Sequence, residues 1–437
     1  MSQGKHLPSI LVKHHKNTAG ANTVVMPIPD VVEICMSQSI GAPCQPLVAK
    51  GDTVKVGQKI GDTDAFVSAP VHSSVSGVVK DIIQVRSSMG GMETHIVIET
   101  DKKQEISEEV LPPQVSNHEE FVKAVRECGL VGLGGASFPT SIKLDPKNLD
   151  ECHVLVVNGA ECEPFITGDN RVMVEQGQDV LDGMKLIMDY LNLEKGIIGI
   201  EENKPDAIEN MRSLIAQNGL DNVEVQVLQS RYPKGAERVL VYETTGQVMD
   251  AGVLPAQLGV ILDNVTTIAT LGQYFKTGMP LVQRRITVDG DAVKNPQNVF
   301  VPVGTRIADI VEFCGGYVQE PRKIVMGGPM MGRATHSDST PTVKNTGAIL
   351  CFGKEAATVK TETACINCGR CHRACPFELM PQLYAEFYDR KDVEGLNKFK
   401  VMQCMECGSC SYVCPARRPL AFTNKLAKGM VKEASKK

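Results

Sequence analysis

Two stretches near the C-terminus, CINCGRCHRACP at 365–376 and CMECGSCSYVCP at 404–415, carry the same cysteine spacing. Each reads C-x2-C-x2-C-x3-C-P, so one repeated pattern places eight cysteines. Thiolates are soft ligands that favour iron–sulfur clusters or zinc over hard cations. The repeat therefore predicts a metal-binding domain at the end of the chain.

The spacing is that of the bacterial ferredoxin run, in which the fourth cysteine of each run ligates the other run's [4Fe–4S] cluster. One cluster is thus assigned to Cys365, Cys368, Cys371 and Cys414, and the second to Cys404, Cys407, Cys410 and Cys375. Tetrahedral zinc, which also binds paired C-x2-C spacings, is the alternative. The duplicated run with proline after each copy favours two clusters, and hence a protein that moves electrons one at a time.

Composition sets the broad class. The 437 residues leave room for about three domains, and the 22% charged and 42% hydrophobic content is that of a folded protein. A net charge of −5, with 5% aromatic residues and no Trp, argues against a nucleic-acid surface. No signal-peptide pattern or membrane-length apolar stretch is evident, so we expect a cytoplasmic protein that reaches a membrane only through partners. The remaining cysteines are predicted to be buried free thiols: Cys35, Cys44, Cys128, Cys152, Cys162, Cys314 and Cys351.

The N-terminal region, 1–105, is predicted to hold a polar arm and a β domain. The arm carries His6, His14 and His15 without ligand spacing, which favours a solvated segment over a metal site. From about residue 40 to 100, apolar–polar alternation between Gly-Asp turns resembles the barrel-sandwich hybrid of biotinyl and lipoyl carriers. The hairpin that would display a modified lysine holds Val71, His72 and Ser73 instead, so a structural or docking module is expected.

The rest of the chain divides into three predicted units. Strand and helix patterns alternate over 116–280, which predicts an α/β domain with helices packed on a parallel or mixed sheet. A strand, an Asp-Gly hairpin, a second strand and a helix over 281–350 suit a β-grasp module similar to an SLBB domain. The segment 355–437 carries the cluster domain and a basic tail, KLAKGMVKEASKK, that is expected to be solvated.

A glycine-rich loop, GLVGLGGASFPTSIKL at 129–144, is the second strong motif. It matches neither the dinucleotide fingerprint, because Ser137 stands at the third glycine, nor the P-loop, because the Gly-Lys-Ser/Thr end is missing. Its glycines let the backbone approach a ligand closely, and a phosphate is the usual partner. A structural turn is the alternative.

Acidic residues follow a predicted strand in VVNGAECEPFITGDNR at 156–171. The strand delivers Asn158, Glu161 and Glu163 to its end. Two acids in an otherwise apolar context indicate either function or a surface loop.

Together these motifs resemble the flavin-binding subunit of respiratory complex I, whose patterns are GRGGAGFPTG-x-K and N-x-D-E-x-E-P. The resemblance implies non-covalent FMN held by Gly132, Gly134, Gly135 and Lys143, with further flavin contacts at Asn158 and Glu161. It implies NADH contacts at Phe138 and Glu163. The stretches YPKGAERVL and LDNVTTIATL add Tyr232, Gly235, Glu237, Asn264 and Thr267. The sequence departs from the family pattern at two positions. Ala236 replaces an acid, and Asp263 replaces an Asn. The second change matters because a carboxylate, unlike an amide, cannot donate a hydrogen bond to a phosphate.

Over essentially its whole length the chain resembles the RnfC family of Rnf membrane complexes. The combination of a barrel-sandwich domain, the glycine loop, NGAECEP, GGPMMG at 327–332 and two cysteine runs carries this resemblance. It implies a peripheral subunit, on the cytoplasmic face of the cell membrane, of an ion-translocating ferredoxin:NAD+ oxidoreductase. The implied partners are NAD(H), ferredoxin indirectly, and the subunits RnfA, RnfB, RnfD, RnfE and RnfG. Two alternatives stay open, an electron-relay subunit without a nucleotide site and a soluble NADH-dependent flavoprotein that serves another reductase.

Overall fold

The computed structural model describes residues 6–87 and 90–436, and its N-terminal region folds into short strands. Residues 1–5 of the predicted arm and residue 437 of the basic tail lie outside the described residues. The strands are β1 (Val24–Val25), β2 (Val31–Cys35), β3 (Gln45–Pro46), β4 (Thr53–Val54), β5 (Lys59–Asp62), β6 (Val71–His72), β7 (Gly77–Arg86) and β8 (Met92–Thr100).

Two sheets form the predicted barrel-sandwich. One has the order β2-β8-β7-β4 and the other β3-β5-β6, and they enclose an apolar core that includes Val32, Ile34 and Ile96. The hairpin at β6 is buried rather than displayed, and Ser74 Oγ donates to the Val303 carbonyl at 2.6 Å. A buried hairpin agrees with a structural module.

The N-terminal arm is packed against the rest of the chain, so the prediction of a solvated segment is wrong. Ile10 exchanges backbone hydrogen bonds of 2.8 and 2.9 Å with Tyr232, and Val12 is buried. His15 stacks on Phe165 with ring centroids 4.7 Å apart. The arm then continues into β1, which lies parallel to a later strand. The two apolar residues on alternate positions bury one face of the arm, whereas the polar residues between them dominate its composition.

The second region is the expected α/β domain. Its helices are α1 (His118–Glu127), α2 (Thr140–Lys143), α3 (Gly168–Glu175), α4 (Gly177–Leu191), α5 (Pro205–Gln217), α6 (Glu237–Thr245) and α7 (Val265–Thr277). Its strands are β9 (Val154–Gly159), β10 (Lys195–Glu201), β11 (Val223–Leu228) and β12 (Val260–Asn264), which form a parallel sheet in the order β11-β10-β9-β12. Strands and helices alternate along this region as predicted, although the short helices α2 and α3 and the elements after β11 were not predicted individually.

Parallel pairing places the candidate site at the carboxyl ends of the strands of this sheet. Strands β9 and β12 are neighbours, and Asn264 pairs in register with Asn158. The carboxyl ends of both strands therefore open into the same crevice, where ligands bind in open α/β sheets. Helices α4 and α7 pack tightly behind the sheet, because a Cβ at Gly183 would lie 2.1 Å from the Ile268 carbonyl oxygen.

The third region confirms the predicted strand, hairpin, strand and helix. It holds β13 (Gln283–Asp289), β14 (Gln297–Pro302), α8 (Ile307–Phe313), β15 (Lys323–Met326), β16 (Arg333–Thr335), β17 (Ala348–Phe352) and α9 (Lys354–Ala357). The sheet order is β1-β14-β13-β17-β15-β16, so the N-terminal arm supplies an edge strand.

The last region is helical: α10 (Arg370–Arg373), α11 (Pro381–Asp389), α12 (Val393–Lys398), α13 (Ser409–Tyr412) and α14 (Leu420–Ala434). Most of the basic tail belongs to α14, which buries Ala427 and Val431 in a core with Tyr384 of α11. The expectation of a solvated tail is therefore wrong for this helix, although several of its lysines are exposed. Within the described residues, no helix has the length and hydropathy needed to cross a membrane.

Candidate functional site

The eight repeated cysteines line two separate cavities. Cys365, Cys368, Cys371 and Cys414 surround one, and Cys375, Cys404, Cys407 and Cys410 surround the other. We call these the 365-side and 404-side cages. Each cage combines three cysteines of one run with the last cysteine of the other run, as the ferredoxin pattern requires.

The sulfur spacing distinguishes between the two possible occupants. Zinc bonds of about 2.3 Å in a tetrahedron hold sulfurs about 3.8 Å apart. No three of these eight cysteines, all of which are described, bring their sulfurs within 4.8 Å of one another. This spacing is wider than a tetrahedral zinc site requires, which favours the larger four-iron clusters that the cysteine pattern predicts.

The two cages differ in environment. Cys365 of the first is exposed, whereas Cys407 and Cys410 of the second are buried. Burial raises the pKa of Cys375 to about 11, so the thiolates of the 404-side cage need a compensating metal charge. The Glu406 N–H points at Cys404 Sγ at 3.4 Å, and Asn424 Nδ2 donates to the same sulfur at 3.5 Å. Such donors stabilise a bound cluster and help to set its potential.

The 404-side cage packs directly on the α/β domain. Tyr232 Oη donates to the Cys407 carbonyl at 2.6 Å, and Arg238 donates to the Gln403 carbonyl at 2.9 Å. The Arg238 guanidinium also lies 3.8 Å above the Phe377 ring. These contacts make the buried cage, rather than the exposed one, the neighbour of the glycine loop's domain.

The glycine loop forms an exposed turn over the sheet edge. Gly132 N donates to the Phe138 carbonyl at 2.8 Å, which closes the loop, and residues 134–136 are exposed. A Cβ at Gly134 would lie 3.2 Å from Asn264 Cβ, while a Cβ at Gly135 would meet open space. The turn thus offers a shallow backbone cradle, and its close approach to Asn264 disfavours a side chain at position 134.

Charged side chains border this cradle. Lys143 Nζ lies 3.7 Å from Asp263 Oδ1, and the other oxygen of this buried carboxylate has no hydrogen-bond partner among the described atoms. Burial raises the pKa of Glu237, with Asp263 adding to the effect and Lys143 opposing it. Glu237 is nevertheless solvent-accessible, so it faces the crevice. Because Asp263 offsets part of the Lys143 charge, the cradle is less electropositive than the sequence pattern indicated.

Asn158, Asn264 and Thr267 are held by protein contacts. Asn158 Nδ2 donates to the Gly235 carbonyl at 2.8 Å. Asn264 caps helix α7, accepting from Thr266 N at 2.9 Å. Thr267 is fully buried and accepts a hydrogen bond of 3.0 Å from Leu133 N. Thr267 therefore braces the glycine loop, and the expectation that it contacts the flavin is not supported; the same holds for the buried Tyr232.

A lysine that the sequence did not single out organises the acidic turn after β9. Lys16 Nζ, from the N-terminal arm, donates to the carbonyls of Glu161, Glu163 and Ile166 at 2.8, 2.9 and 2.5 Å. Its ammonium also lies 3.9 Å from Glu161 Oε2. Burial raises the pKa of Glu161 to about 7, against the opposing charges of Lys16 and Lys204. Glu161 Oε1 accepts from Asp169 N at 2.6 Å and so starts α3 rather than facing solvent.

Replacing Lys16 should destabilise the turn and the bound flavin together. Lys16→Met leaves three carbonyls and a buried carboxyl without their cation, and we expect a loss of about 3 kcal/mol in unfolding free energy. Thermal unfolding with FMN content measured on the same sample checks this. Lys13→Met, an exposed position of the same arm, is the matched control. Equal thermal unfolding midpoints for the two variants would contradict a stabilising role for the Lys16 hydrogen bonds.

Glu163 is held by the GGPMMG segment through one of its carboxylate oxygens. Its Oε2 accepts from Met330 N at 3.0 Å, and a Cβ at Gly328 would lie 2.2 Å from the same oxygen. The carboxylate thus anchors the GGPMMG segment, 327–332, which explains one glycine of that motif. The other oxygen, Oε1, has no hydrogen-bond partner among the described atoms, so the NADH contact at Glu163 stays a prediction. Phe138 is partly exposed on the glycine loop and remains available to a ligand.

The Glu163 carboxyl should make stability fall as the pH rises. Burial raises its pKa from 4.5 to about 7, so the folded chain holds this proton more tightly than the unfolded chain. Between these values the protein loses about 2–3 kcal/mol through this group. Glu163→Gln should remove that loss, although Glu161 still contributes a similar slope. Unfolding midpoints at pH 5 and pH 8 test this, with exposed Glu202→Gln as control; identical slopes in all three proteins would refute it.

Four family models match successive regions of the chain. The family described as RnfC Barrel sandwich hybrid domain matches residues 6–103, and Nuo51 FMN-binding domain matches residues 125–273. The SLBB domain matches 285–334, which confirms the β-grasp prediction, and 4Fe-4S dicluster domain matches 357–415. The predicted fold class is confirmed by these matches.

Whole-chain relatives extend the similarity. The C component of a Na(+)-translocating ferredoxin:NAD(+) oxidoreductase complex from Acetobacterium woodii is 42% identical over 92% of this chain and 90% of its own. The corresponding component of a proton-translocating ferredoxin:NAD(+) oxidoreductase complex from Clostridium ljungdahlii is 42% identical over 84% of this chain and 80% of its own. That of an ion-translocating oxidoreductase complex from Rhodobacter capsulatus is 34% identical over 96% of this chain and 82% of its own. A solved structure of an NAD+-reducing [NiFe]-hydrogenase is also similar. The alignment covers 73% of this chain and 54% of the hydrogenase chain, with 18% sequence identity and a TM-score of 0.48.

Proposed function

The chain belongs to the RnfC family of ion-translocating oxidoreductase complexes, and on that premise we propose that it exchanges electrons with NAD(H) for such a complex. FMN, when bound, takes a hydride's two electrons together and releases them singly, which suits clusters that carry one electron each. The chain's own part is to hold these groups, to keep them in order and to exclude competing reactions.

The glycine loop and its neighbours would hold the flavin. The exposed backbone of Gly134 and Gly135 supports a phosphate or ring close to the main chain, because neither residue has a side chain. Lys143 supplies the cation at one end, and Asn158 lies at the paired strand ends below. Thr267 acts through the Leu133 N–H, and Lys16 acts through the carbonyls of the acidic turn. Phe138 and Glu237 are solvent-accessible and could face a nucleotide.

One observation carries the proposed order of electron transfer. The 404-side cage contacts the flavin-type domain through Tyr232, whose hydroxyl bonds the Cys407 carbonyl at 2.6 Å. The 365-side cage is open at Cys365. Electrons from NAD(H) would therefore reach the 404-side cluster first and leave the chain from the 365-side cluster, where a partner can approach.

We place this chain on the cytoplasmic face of the membrane as a peripheral subunit, with the other Rnf subunits, RnfA, RnfB, RnfD, RnfE and RnfG, as partners. The relatives are named as parts of ion-translocating complexes, and ion translocation would belong to the assembled complex. Ferredoxin would exchange electrons with this chain indirectly, through those partners.

Cofactor content tests the proposal. Anaerobic protein should contain about eight iron and eight sulfide per chain in two clusters. It should also release one FMN on denaturation, and NADH should bleach the flavin absorption. A protein with full clusters but no flavin would instead be an electron-relay subunit. A flavoprotein reduced by NADH that never associates with membranes containing the partner subunits would be a soluble reductase.

A further inference from the structure

A second group of metal-ligand side chains lies in the barrel-sandwich domain, far in sequence from the cysteine runs. Cys35 is the last residue of β2, and its cross-strand partner in β8 is His95. Glu93 precedes His95 by two positions in the same strand, so both side chains leave the strand on one face. Register and strand period therefore bring a thiol, an imidazole and a carboxylate together.

The three ligand atoms have the spacing of a small ion's coordination sphere. One atom from each of Cys35, Glu93 and His95 lies within 4.8 Å of the other two, and no other group of this kind occurs among the described residues. Glu93 Oε2 is 3.9 Å from Cys35 Sγ and 3.9 Å from His95 Nε2. Ligands of a tetrahedral zinc ion stand about 3.3–3.8 Å apart, so these two distances exceed that range only slightly.

The imidazole is oriented as a ligand. His95 Nδ1 lies 2.7 Å from Glu33 Oε1, a carboxylate contact that leaves Nε2 directed at the other two groups. Nε2 is buried and has no hydrogen-bond partner among the described atoms, and the His95 side chain is 5% exposed. A buried polar nitrogen without a partner is costly, and a metal ion would satisfy it.

The surroundings of the Cys35 thiol and the Glu93 carboxylate also suit metal ligands. Ser37 N donates to Cys35 Sγ at 3.2 Å, a contact that stabilises a thiolate. The Glu93 side chain is 33% exposed, which gives an ion and a water molecule access to the group. Arg306 lies 3.7 Å from Glu33 Oε2, the oxygen that His95 does not contact, so Glu33 pairs with both cationic side chains.

We propose that Cys35, His95 and Glu93 bind one zinc ion, with water as the fourth ligand. A thiolate, an imidazole and a carboxylate together match zinc better than magnesium or calcium, which prefer oxygen ligands alone. Binding joins the end of β2 to β8 and displaces the thiol proton to solvent. The site is separate from both cysteine cages.

Zinc binding to the cluster-loaded protein tests the proposal. Anaerobic full-length protein is stripped with a chelator under conditions that keep all of its iron, and is then titrated with zinc. Wild type should bind one zinc per chain. X-ray absorption at the zinc edge should show one sulfur at about 2.3 Å and three nitrogen or oxygen neighbours at about 2.0–2.1 Å. Four sulfur neighbours, or no zinc retained at micromolar concentration, would overturn the assignment.

Variants localise the ion. Glu93→Gln, at a partly exposed position, should weaken zinc binding at least about tenfold and leave the iron content unchanged. His95→Gln should abolish binding. Glu99→Gln, exposed on the same strand, is the matched control and should bind as wild type. Wild-type zinc affinity in both Glu93→Gln and His95→Gln would refute the site, even if one variant folds poorly.

Discussion

Gly134→Val should yield protein that keeps both clusters and loses its flavin. The valine Cβ would lie 3.2 Å from Asn264 Cβ, and its two methyl groups would extend into the exposed cradle. We expect FMN affinity to fall at least about a hundredfold, from the loss of close backbone contact and its charge-assisted hydrogen bonds. Iron and FMN measured on one anaerobic sample give the result.

Gly20→Val is the control for this substitution. A Cβ at Gly20 meets no atom within 4 Å, and the position carries no positive φ. It should retain both flavin and iron. If Gly134→Val protein holds FMN at wild-type stoichiometry, the flavin does not bind at the glycine loop.

Cys375→Ser should remove the cluster of the other run. Cys375 lines the 404-side cage with Cys404, Cys407 and Cys410, although it lies nearest in sequence to the 365-side cysteines. Iron should fall from about eight to about four per chain, because a serine hydroxyl replaces one of four thiolate ligands. Reduced-state EPR should then match that of Cys407→Ser.

Cys414→Ser is the reciprocal variant. It should lose the 365-side cluster, and its spectrum should match that of Cys368→Ser. If Cys375→Ser instead resembles Cys368→Ser, each run holds its own cluster and the crossed arrangement is wrong.

Local patterns predicted much of the molecule. The cysteine repeat grouped residues that the structure brings together, because a short loop restricts which thiols can reach one cavity. Strand and helix patterns predicted the alternating elements of the α/β domain, including the strand that ends at Asn158 and Gly159. The pairing of β9 with β12 brings Asn158 and Asn264 to the same crevice.

Contacts between distant segments were not predictable in this way. Lys16 lies in a polar stretch with no period, yet it holds carbonyls about 145 residues further along the chain. Tyr232 looked like a flavin contact and instead bonds Cys407, because its burial depends on the docking of another domain. Glu163 was predicted only as a nucleotide contact, but one of its carboxylate oxygens also accepts a hydrogen bond from Met330 N of the GGPMMG segment. Cys35 and His95 are adjacent only through strand register, which sequence spacing does not reveal.

The central claim is that electrons pass between NAD(H) and the clusters by way of the glycine-loop flavin. The direct measurement is to reduce the clusters of anaerobic protein, remove the reductant, add NAD+ and follow NADH formation together with the cluster EPR signals. Wild type should form NADH as both cluster signals disappear, and flavin-free Gly134→Val should keep its clusters reduced. Clusters that stay reduced in wild type, or that are oxidised equally fast in both proteins, would contradict the account.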